Sequence, residues 1–269
     1  MSRRLDVFLV EESLVKSRAK AKELIQNGSV TVDGMTAKKP SLLVEDDCKV
    51  VVTADEASRY VGRGALKLKG AFESFSIDVK GKCCADIGAS TGGFTQVLLE
   101  NGASIVYAVD VGHDQLAKEL ACDERVKNCE GTNVRDLTPD FFEGSVEFMC
   151  GDLSFISLRL VIPTLINCLA DDGEIVMLIK PQFEAGKKAL NKKGIVKDKK
   201  DHLRVLTELS EFFESCGLAV VDLAPSAITG GDGNIEYLVH LKKSSTGAKS
   251  KFIDLKGFVN TTFDRVYKG

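Results

Sequence analysis

The sequence is poor in the residues that build metal centres and cross-links. Its 269 residues hold 3 histidines, His113, His202 and His240, far apart in the chain. A histidine-based metal site is therefore not expected. The 8 cysteines include no C-x-x-C pair and mostly sit in apolar segments. That pattern argues against a zinc site and a disulfide framework, and for buried, reduced thiols in a cytosolic, cytoplasmic protein. No apolar run approaches the ~20 residues of a membrane span. The opening stretch, MSRRLDVFLVEESL, has acids inside its one apolar run and no small-residue cleavage site, so it does not read as a signal peptide. Positive charge is not in excess either. The net charge of -3 excludes a wholesale basic nucleic-acid binder, though not a local basic patch.

What is present is an ordinary core-forming composition, 44% hydrophobic and 28% charged, on a length that allows two unequal domains. Residues 1–53 read as a small helix–helix–hairpin unit. RLDVFLVEESL gives one helical face. SRAKAKELIQNG gives a second, with Ser17 as cap and Gly28 as stop. SVTVDG alternates and ends in a hairpin signal, and LLVEDDCKVVV supplies another short strand. Arg3, Arg4, Lys16, Arg18, Lys20 and Lys22 crowd the two helices. They are candidate RNA-contacting residues if the face is not simply solvated. Residues 54–63 are a polar connector.

Residues 64–243 alternate helix and strand. Strands are predicted at about 82–87, 104–109, 126–130, 146–151, 174–180, 218–224 and 235–242, with helices at 93–101, 114–122, 158–169 and 200–216 between them. The pattern predicts an α/β fold with a mainly parallel, Rossmann-like sheet. Only PSAITGGDGN separates the last two strands, too little for a crossover helix, so the last strand is expected to run antiparallel. A seven-stranded sheet with a reversed last strand is the architecture of S-adenosylmethionine-dependent methyltransferases. The tail, 244–269, shows no clear period and has no assignment from sequence.

The stretch CADIGASTGGFT has the form of a first βα turn. Gly88 and Gly93 fit the outer slots of a dinucleotide fingerprint, but Ser90 holds the middle slot, where a pyrophosphate needs bare backbone. A nucleoside cofactor without that group, such as S-adenosylmethionine, suits the turn better than NAD. The candidate cofactor-binding residues are Asp86, Gly88, Ser90, Thr91, Gly92, Gly93 and Phe94, with Asp110 at the next strand end placed to accept from ribose hydroxyls. Asn133 and Asp136 are candidates for the adenine side, with turn capping as their alternative role. Asp152 ends the fourth strand, Lys180 the fifth, and Glu236 begins the reversed strand. All three therefore converge on one rim of the sheet, where ligands bind in open α/β folds. Lys67 and Lys69 are candidates for a fourth charge.

The words RGALKL, DIGASTGGFT, GDLSFISL, KPQFE and GNIEY together resemble the hemolysin-A (TlyA) type of ribosomal RNA methyltransferase, over about residues 1–243. The resemblance implies an RNA-binding domain like that of a small-subunit ribosomal protein, joined to an FtsJ-like domain. It also implies methylation of a ribose 2′-hydroxyl, on cytidine, in ribosomal RNA or ribosomal subunits. It selects Lys67, Asp152, Lys180 and Glu236 as a Lys-Asp-Lys-Glu tetrad, with Asp152 also near the cofactor and no metal required. Tyr60 stands where some members carry a linker tryptophan. The competing readings are a non-catalytic RNA-binding protein and a membrane-active hemolysin. The second is disfavoured, since neither spans nor a secretion signal are evident.

Overall fold

The computed structural model describes residues 2–15, 17–26, 28–52, 59–231 and 233–268, and the chain divides into two units, Met1–Tyr60 and Val61–Gly269. In the first unit, β1 (Arg3–Arg4) leads directly into α1 (Leu5–Glu11), followed by α2 (Arg18–Gln26), β2 (Val30–Val32), β3 (Met35–Thr36), β4 (Leu43–Val44) and β5 (Val50–Val52). Leu5, Phe8 and Leu9 of α1 pack with Leu24 and Ile25 of α2 and with Val30 and Val44. These are the apolar positions of two short amphipathic helices closing over a small sheet. Ser17 accepts from the backbone N–H of Lys20, as a cap should. Asp33 and Gly34, with φ of 49° and 81°, form the hairpin turn between β2 and β3.

The basic residues of this unit are placed differently from expectation. Arg3 and Arg4 lie on a strand paired with β4, not on a helix. Arg3 is held by Glu11, Glu12 and Asp46 at 2.7–3.0 Å. Arg4 and Arg18 both reach Asp6, each at 3.0 Å, and the Asp6 side chain is 0% exposed. Alternation and helical period could not show the Arg3–Asp46 and Arg18–Asp6 pairs, whose members lie 43 and 12 residues apart. Lys22 is exposed and Lys20 half-buried. Lys16 lies outside the described residues.

The second unit holds a seven-stranded sheet. Its elements are α3 (Ala65–Ser74), β6 (Cys83–Ile87), α4 (Gly93–Glu100), β7 (Ile105–Asp110), α5 (Lys118–Ala121), β8 (Val126–Glu130), β9 (Val146–Gly151), α6 (Ile162–Cys168), β10 (Leu169–Ile179), α7 (Pro181–Glu184), α8 (Lys199–Ser215), β11 (Leu218–Pro225), β12 (Tyr237–Lys243) and α9 (Leu255–Lys268). The strand order is β11-β12-β10-β9-β6-β7-β8. Strand β12 is antiparallel to both neighbours, and the other pairings are parallel. The reversed last strand is thus as expected. The order breaks at β6 and β9, the topological switch point at which such sheets open a ligand crevice.

Two predicted elements differ. The helix expected over 114–122 is confined to α5. Asp114 has φ +55°, and the Glu130 carboxylate takes the N–H groups of Gln115 and Leu116, so the backbone there is committed to a turn. The unassigned tail forms α9, which buries Val259 and Phe263 in the main core. Phe263 meets the buried His202 ring edge-on at 4.8 Å. His202 sits between the Tyr237 hydroxyl at 2.8 Å and the Val196 carbonyl at 3.0 Å. The carbonyl can only accept, so Nε2 carries the proton and Nδ1 accepts from Tyr237.

Asp6 gives the first unit a testable acid sensitivity. Its carboxyl is lowered to about 2, chiefly by the Arg4 hydrogen bonds, with Arg18 adding and burial opposing. A depressed carboxyl stabilises the fold above its unfolded value of ~3.9, and that contribution is lost as pH falls toward the folded value. Asp6→Asn should cost about 1–3 kcal/mol near neutral pH, because two guanidinium groups lose a charged acceptor. Urea unfolding of the full chain should show the gap between wild type and variant closing between about pH 4 and pH 2.

Candidate active site

Four elements deliver four charges to one rim. Lys67 projects from α3, Asp152 follows β9, Lys180 follows β10, and Glu236 precedes β12. The reversal of β12 brings its N-terminal end beside the C-terminal ends of β9 and β10. Lys67 Nζ donates to Asp152 Oδ2 at 2.9 Å and to Glu236 Oε2 at 2.7 Å. Lys180 Nζ lies 2.7 Å from Asp152 Oδ1, an ion-pair separation at an angle poor for a hydrogen bond. It donates instead to Ser154 Oγ at 2.9 Å. The side chain of Glu236 is 2% exposed and that of Lys67 9%. Lys69 is not part of the cluster, and pairs with Glu73 along α3.

The two lysines have different roles open to them. Burial, the largest influence on Lys67, favours its neutral form, but the charges and hydrogen bonds of Asp152 and Glu236 outweigh it and raise its pKa. Lys67 is therefore a fixed ammonium between two carboxylates. Lys180 lines the open cleft together with Asp152 and Ser154, and Lys67 does not. Two residues beyond the sequence reading complete the cluster. Ser154 orients Lys180, and Gln182 donates Nε2 to Glu236 Oε1 at 3.1 Å. Both lie inside the words GDLSFISL and KPQFE, where hydroxyl and amide side chains next to a strand-end charge were the available signal.

The cleft has two connected parts, sharing Gly88, Ser90, Asp152 and Ser154. The larger, about 530 Å³, is lined by Asp110, Asn133 and the apolar side chains of Val109, Val111, Val134, Leu153 and Ile156. The smaller, about 270 Å³, is lined by Arg63, Asp86, Thr91, Gly93, Phe94 and Lys180. Gly92 lies outside both; at φ +93°, it lets Leu116 and Leu120 approach closely. A Cβ on Gly88 would stand 3.0 Å from Leu153, and one on Gly93 3.0 Å from the Ala65 nitrogen. Both glycines thus permit close backbone approach. Asp136 does not line the cleft. Asn133 caps the next turn through the Arg135 N–H and also lines the larger part.

Three groups here have capacity for a ligand. Asp110 accepts from the N–H groups of Ser90 and Gly112, at 2.8 and 2.7 Å, and its remaining lone pairs face the larger part. Ser90 adopts φ +48° and bonds Gln115 through its hydroxyl, so a side chain does occupy the middle of the turn. Asp86 Oδ2 accepts from both the N–H and hydroxyl of Thr95, whereas its buried Oδ1 has no partner. Burial, above all, pushes Asp86 up to about 7. Among the described residues, no group of three or more His, Cys, Asp and Glu could hold a metal ion.

Comparison with known proteins gives the same picture. Residues 60–243 match the FtsJ-like methyltransferase family and residues 3–47 the S4 domain. The chain is 47% identical to a Bacillus subtilis protein provisionally named rRNA methyltransferase YqxC, over 92% of this chain and 88% of that one. It is 44% identical to the 16S/23S rRNA (cytidine-2′-O)-methyltransferase TlyA of Mycobacterium tuberculosis, over 92% of each. A solved structure from Streptococcus thermophilus, provisionally described as a hemolysin, superposes with a TM-score of 0.78 at 40% identity, covering 99% of this chain and 98% of that one.

The Lys67–Glu236 contact should dominate the stability of the rim. Lys67→Met strands a buried carboxylate and should cost about 3–5 kcal/mol. Lys67→Met combined with Glu236→Gln should recover part of that loss, since the double variant buries no unpaired charge. Chemical denaturation of the three proteins measures it; an equal or larger loss in the double variant would contradict the assignment.

Proposed function

The chain belongs to the FtsJ-like methyltransferase family, with an S4 domain ahead of the catalytic unit, and on that premise we propose that it methylates a ribose 2′-hydroxyl, on cytidine, in ribosomal RNA. The observation that carries the reading is Lys180, a cleft-lining amine steadied by Asp152 and Ser154, beside a second lysine locked as an ammonium. The name of the Mycobacterium tuberculosis relative supports the substrate. A membrane-lytic role has no comparable support, for among the described residues no helix is long and apolar enough to cross a membrane.

S-adenosylmethionine fits the cleft. When bound, it supplies a methyl carbon on a positively charged sulfur. The apolar walls of the larger part suit an adenine ring, Asp110 suits the ribose hydroxyls, and the unpartnered Asp86 Oδ1 suits a cationic group in the smaller part. Ser90 disfavours the pyrophosphate of NAD at the same turn. A ribose hydroxyl is a weak nucleophile at neutral pH. Lys180 meets its oxygen, taking the proton or offsetting the negative charge as it develops. Asp152 and Ser154 hold the amine in place. Lys67 and Glu236 fix Asp152, so the geometry does not have to form when RNA arrives.

Lys180→Ala should lower single-turnover methyl transfer to ribosomal RNA by roughly 10²–10⁴-fold while leaving S-adenosylmethionine binding intact. Lys180→Arg should not restore it, because a planar, permanently protonated fork cannot replace an amine. Mapping 2′-O-methyl groups on the product RNA tests the reaction itself. Near-normal transfer by Lys180→Ala, or methyl groups on bases instead of ribose, would refute the reading.

Asp86 should couple cofactor binding to pH. Its folded pKa of about 7 lies above the unfolded value, so the folded chain holds an extra proton in between. This contribution to stability is full at low pH and is lost as pH rises through about 7. A cationic ligand favours the carboxylate, so S-adenosylmethionine should bind more tightly as pH rises through about 7 and release a proton below it. Calorimetry in buffers of differing ionisation enthalpy measures that proton, and Asp86→Asn should abolish it.

A further inference from the structure

Positive charge in the catalytic unit is concentrated in one place. Seven lysines and a single acid, Asp198, lie between positions 187 and 200, in a chain of net charge -3. Lys187, Lys188, Lys192, Lys193, Lys197 and Lys200 are exposed, and among the described residues none has an ion-pair partner. The nearby acids are committed elsewhere. Asp198 caps α8 by accepting from the Lys200 N–H. Glu184 accepts from Ser157 and Leu158, and Asp201 pairs with Arg204. Arg3, Arg4 and Arg18 of the Met1–Tyr60 unit, by contrast, pair with acids of their own unit, Arg4 and Arg18 sharing Asp6.

The middle of the lysine segment, residues 190–196, is a built hairpin. Leu190 and Val196 form an antiparallel bridge, and Asn191 closes the tip through Ile195 and Gly194. Asn234, itself buried, accepts from the Val196 N–H and donates to the Gly194 carbonyl, at 3.2 Å each. Asn234 stands two residues before Glu236, so the hairpin is fastened to the strand end that carries a tetrad charge. Lys187, Leu190 and Gly194 share a cavity wall with Gln182, which bonds Glu236. With one acid among seven lysines in a short stretch, these ammonium groups repel one another. A merely solvated face intersperses both signs. An extended polyanion would relieve the repulsion.

We propose that the 187–200 segment, built around this hairpin, is a phosphate-binding clamp, which grips the RNA backbone beside the nucleotide whose ribose enters the cleft. It rests on RNA being the substrate of the adjoining site. An RNA strand fits better than a membrane surface, because none of the exposed large hydrophobic side chains falls in this segment and a membrane-surface element needs an apolar face. Lysines act on phosphates as point charges, displacing condensed counterions without reading sequence.

The test is a full-length variant carrying Lys188→Gln, Lys192→Gln, Lys193→Gln and Lys197→Gln, beside one with the same four lysines changed to arginine. Binding to ribosomal RNA is measured across salt concentrations, with methyl transfer alongside. Four lost phosphate contacts should reduce the slope of log affinity against log salt by about 3 and weaken RNA binding on the order of 10–100-fold near ~0.1 M salt. Turnover at saturating RNA and affinity for S-adenosylmethionine should hold, and the arginine variant should keep the wild-type slope. An unchanged slope in the glutamine variant, or an equal loss in the arginine variant, would overturn the clamp. So would lost binding to phosphatidylserine vesicles with unaltered RNA binding, which would assign the surface to lipid. If wild type transfers no methyl group but the slope still falls, the methylation reading fails and the clamp stands.

Discussion

The site depends on one carboxylate, Asp152, which stands between two lysines. Oδ2 faces Lys67 and Oδ1 faces Lys180, at 2.9 and 2.7 Å. Without it, two ammonium groups would face each other in a half-buried crevice, where their repulsion is far less screened than in water. Glu236 closes the arrangement from behind, and its near-complete burial requires Lys67 to remain charged. Strand β12 must run backwards for its start to reach the rim, and a reversed strand joined to β11 by a short loop achieves that without a crossover helix.

The same contact makes the two lysines unequal. Both side chains are buried to the same degree, at 9% and 8% exposure, but Lys67 has two carboxylate partners. Lys180 has one ion pair of poor angle, a hydroxyl partner and a face on the cleft. A network of alternating charges thereby gives one cation fixed between two carboxylates and one amine that lines the cleft. The Phe183 ring, 5.8 Å from Lys180 Nζ, adds a π face to the same nitrogen. Two chemically identical side chains are thus told apart here by their surroundings alone.

Much of this was legible in the sequence because strands and their ends have a strong signature. EIVMLIK is an apolar run that stops at a charge, and a charge at the C-terminal end of a buried strand has few places to go except the rim. The reversed strand followed from loop length. What escaped was set by contacts distant in the chain. Period alone does not separate Lys67 from Lys69; the resemblance selected Lys67, and the facing of α3 buries it while Lys69 pairs with Glu73. Asp6, in a run that reads as an ordinary helix start, proves to be wholly buried by two arginines, one of them twelve residues away. The helix at 118–121 was overestimated because Glu130, on the next strand, competes for its first N–H groups. Helix α9 sets Leu255, Phe258, Val259, Phe263 and Val266 against the core along its length, a short period that the linker-like run before it obscured.

Two strained backbone positions shape the cleft. Among the described residues, five that are not glycine have positive φ, and two of them, Ser90 and Phe155, line the cleft. For a bulky side chain such as Phe155, at φ +62°, this conformation is a true outlier. Its ring is 91% exposed and stacks only partly on Phe183, with centroids 5.1 Å apart and planes tilted by 46°. Burial therefore cannot account for the strained backbone. Its neighbours do: Asp152 and Ser154 are tied to Lys180 on one side, and Ser157 is tied to Glu184 on the other. Such a residue persists only when the surrounding structure over-determines it. At Ser90 the hold is the Asp110 carboxylate on its N–H. In both places, charges that serve the cleft also impose its unfavourable turns, so its geometry and its electrostatics are fixed by the same bonds.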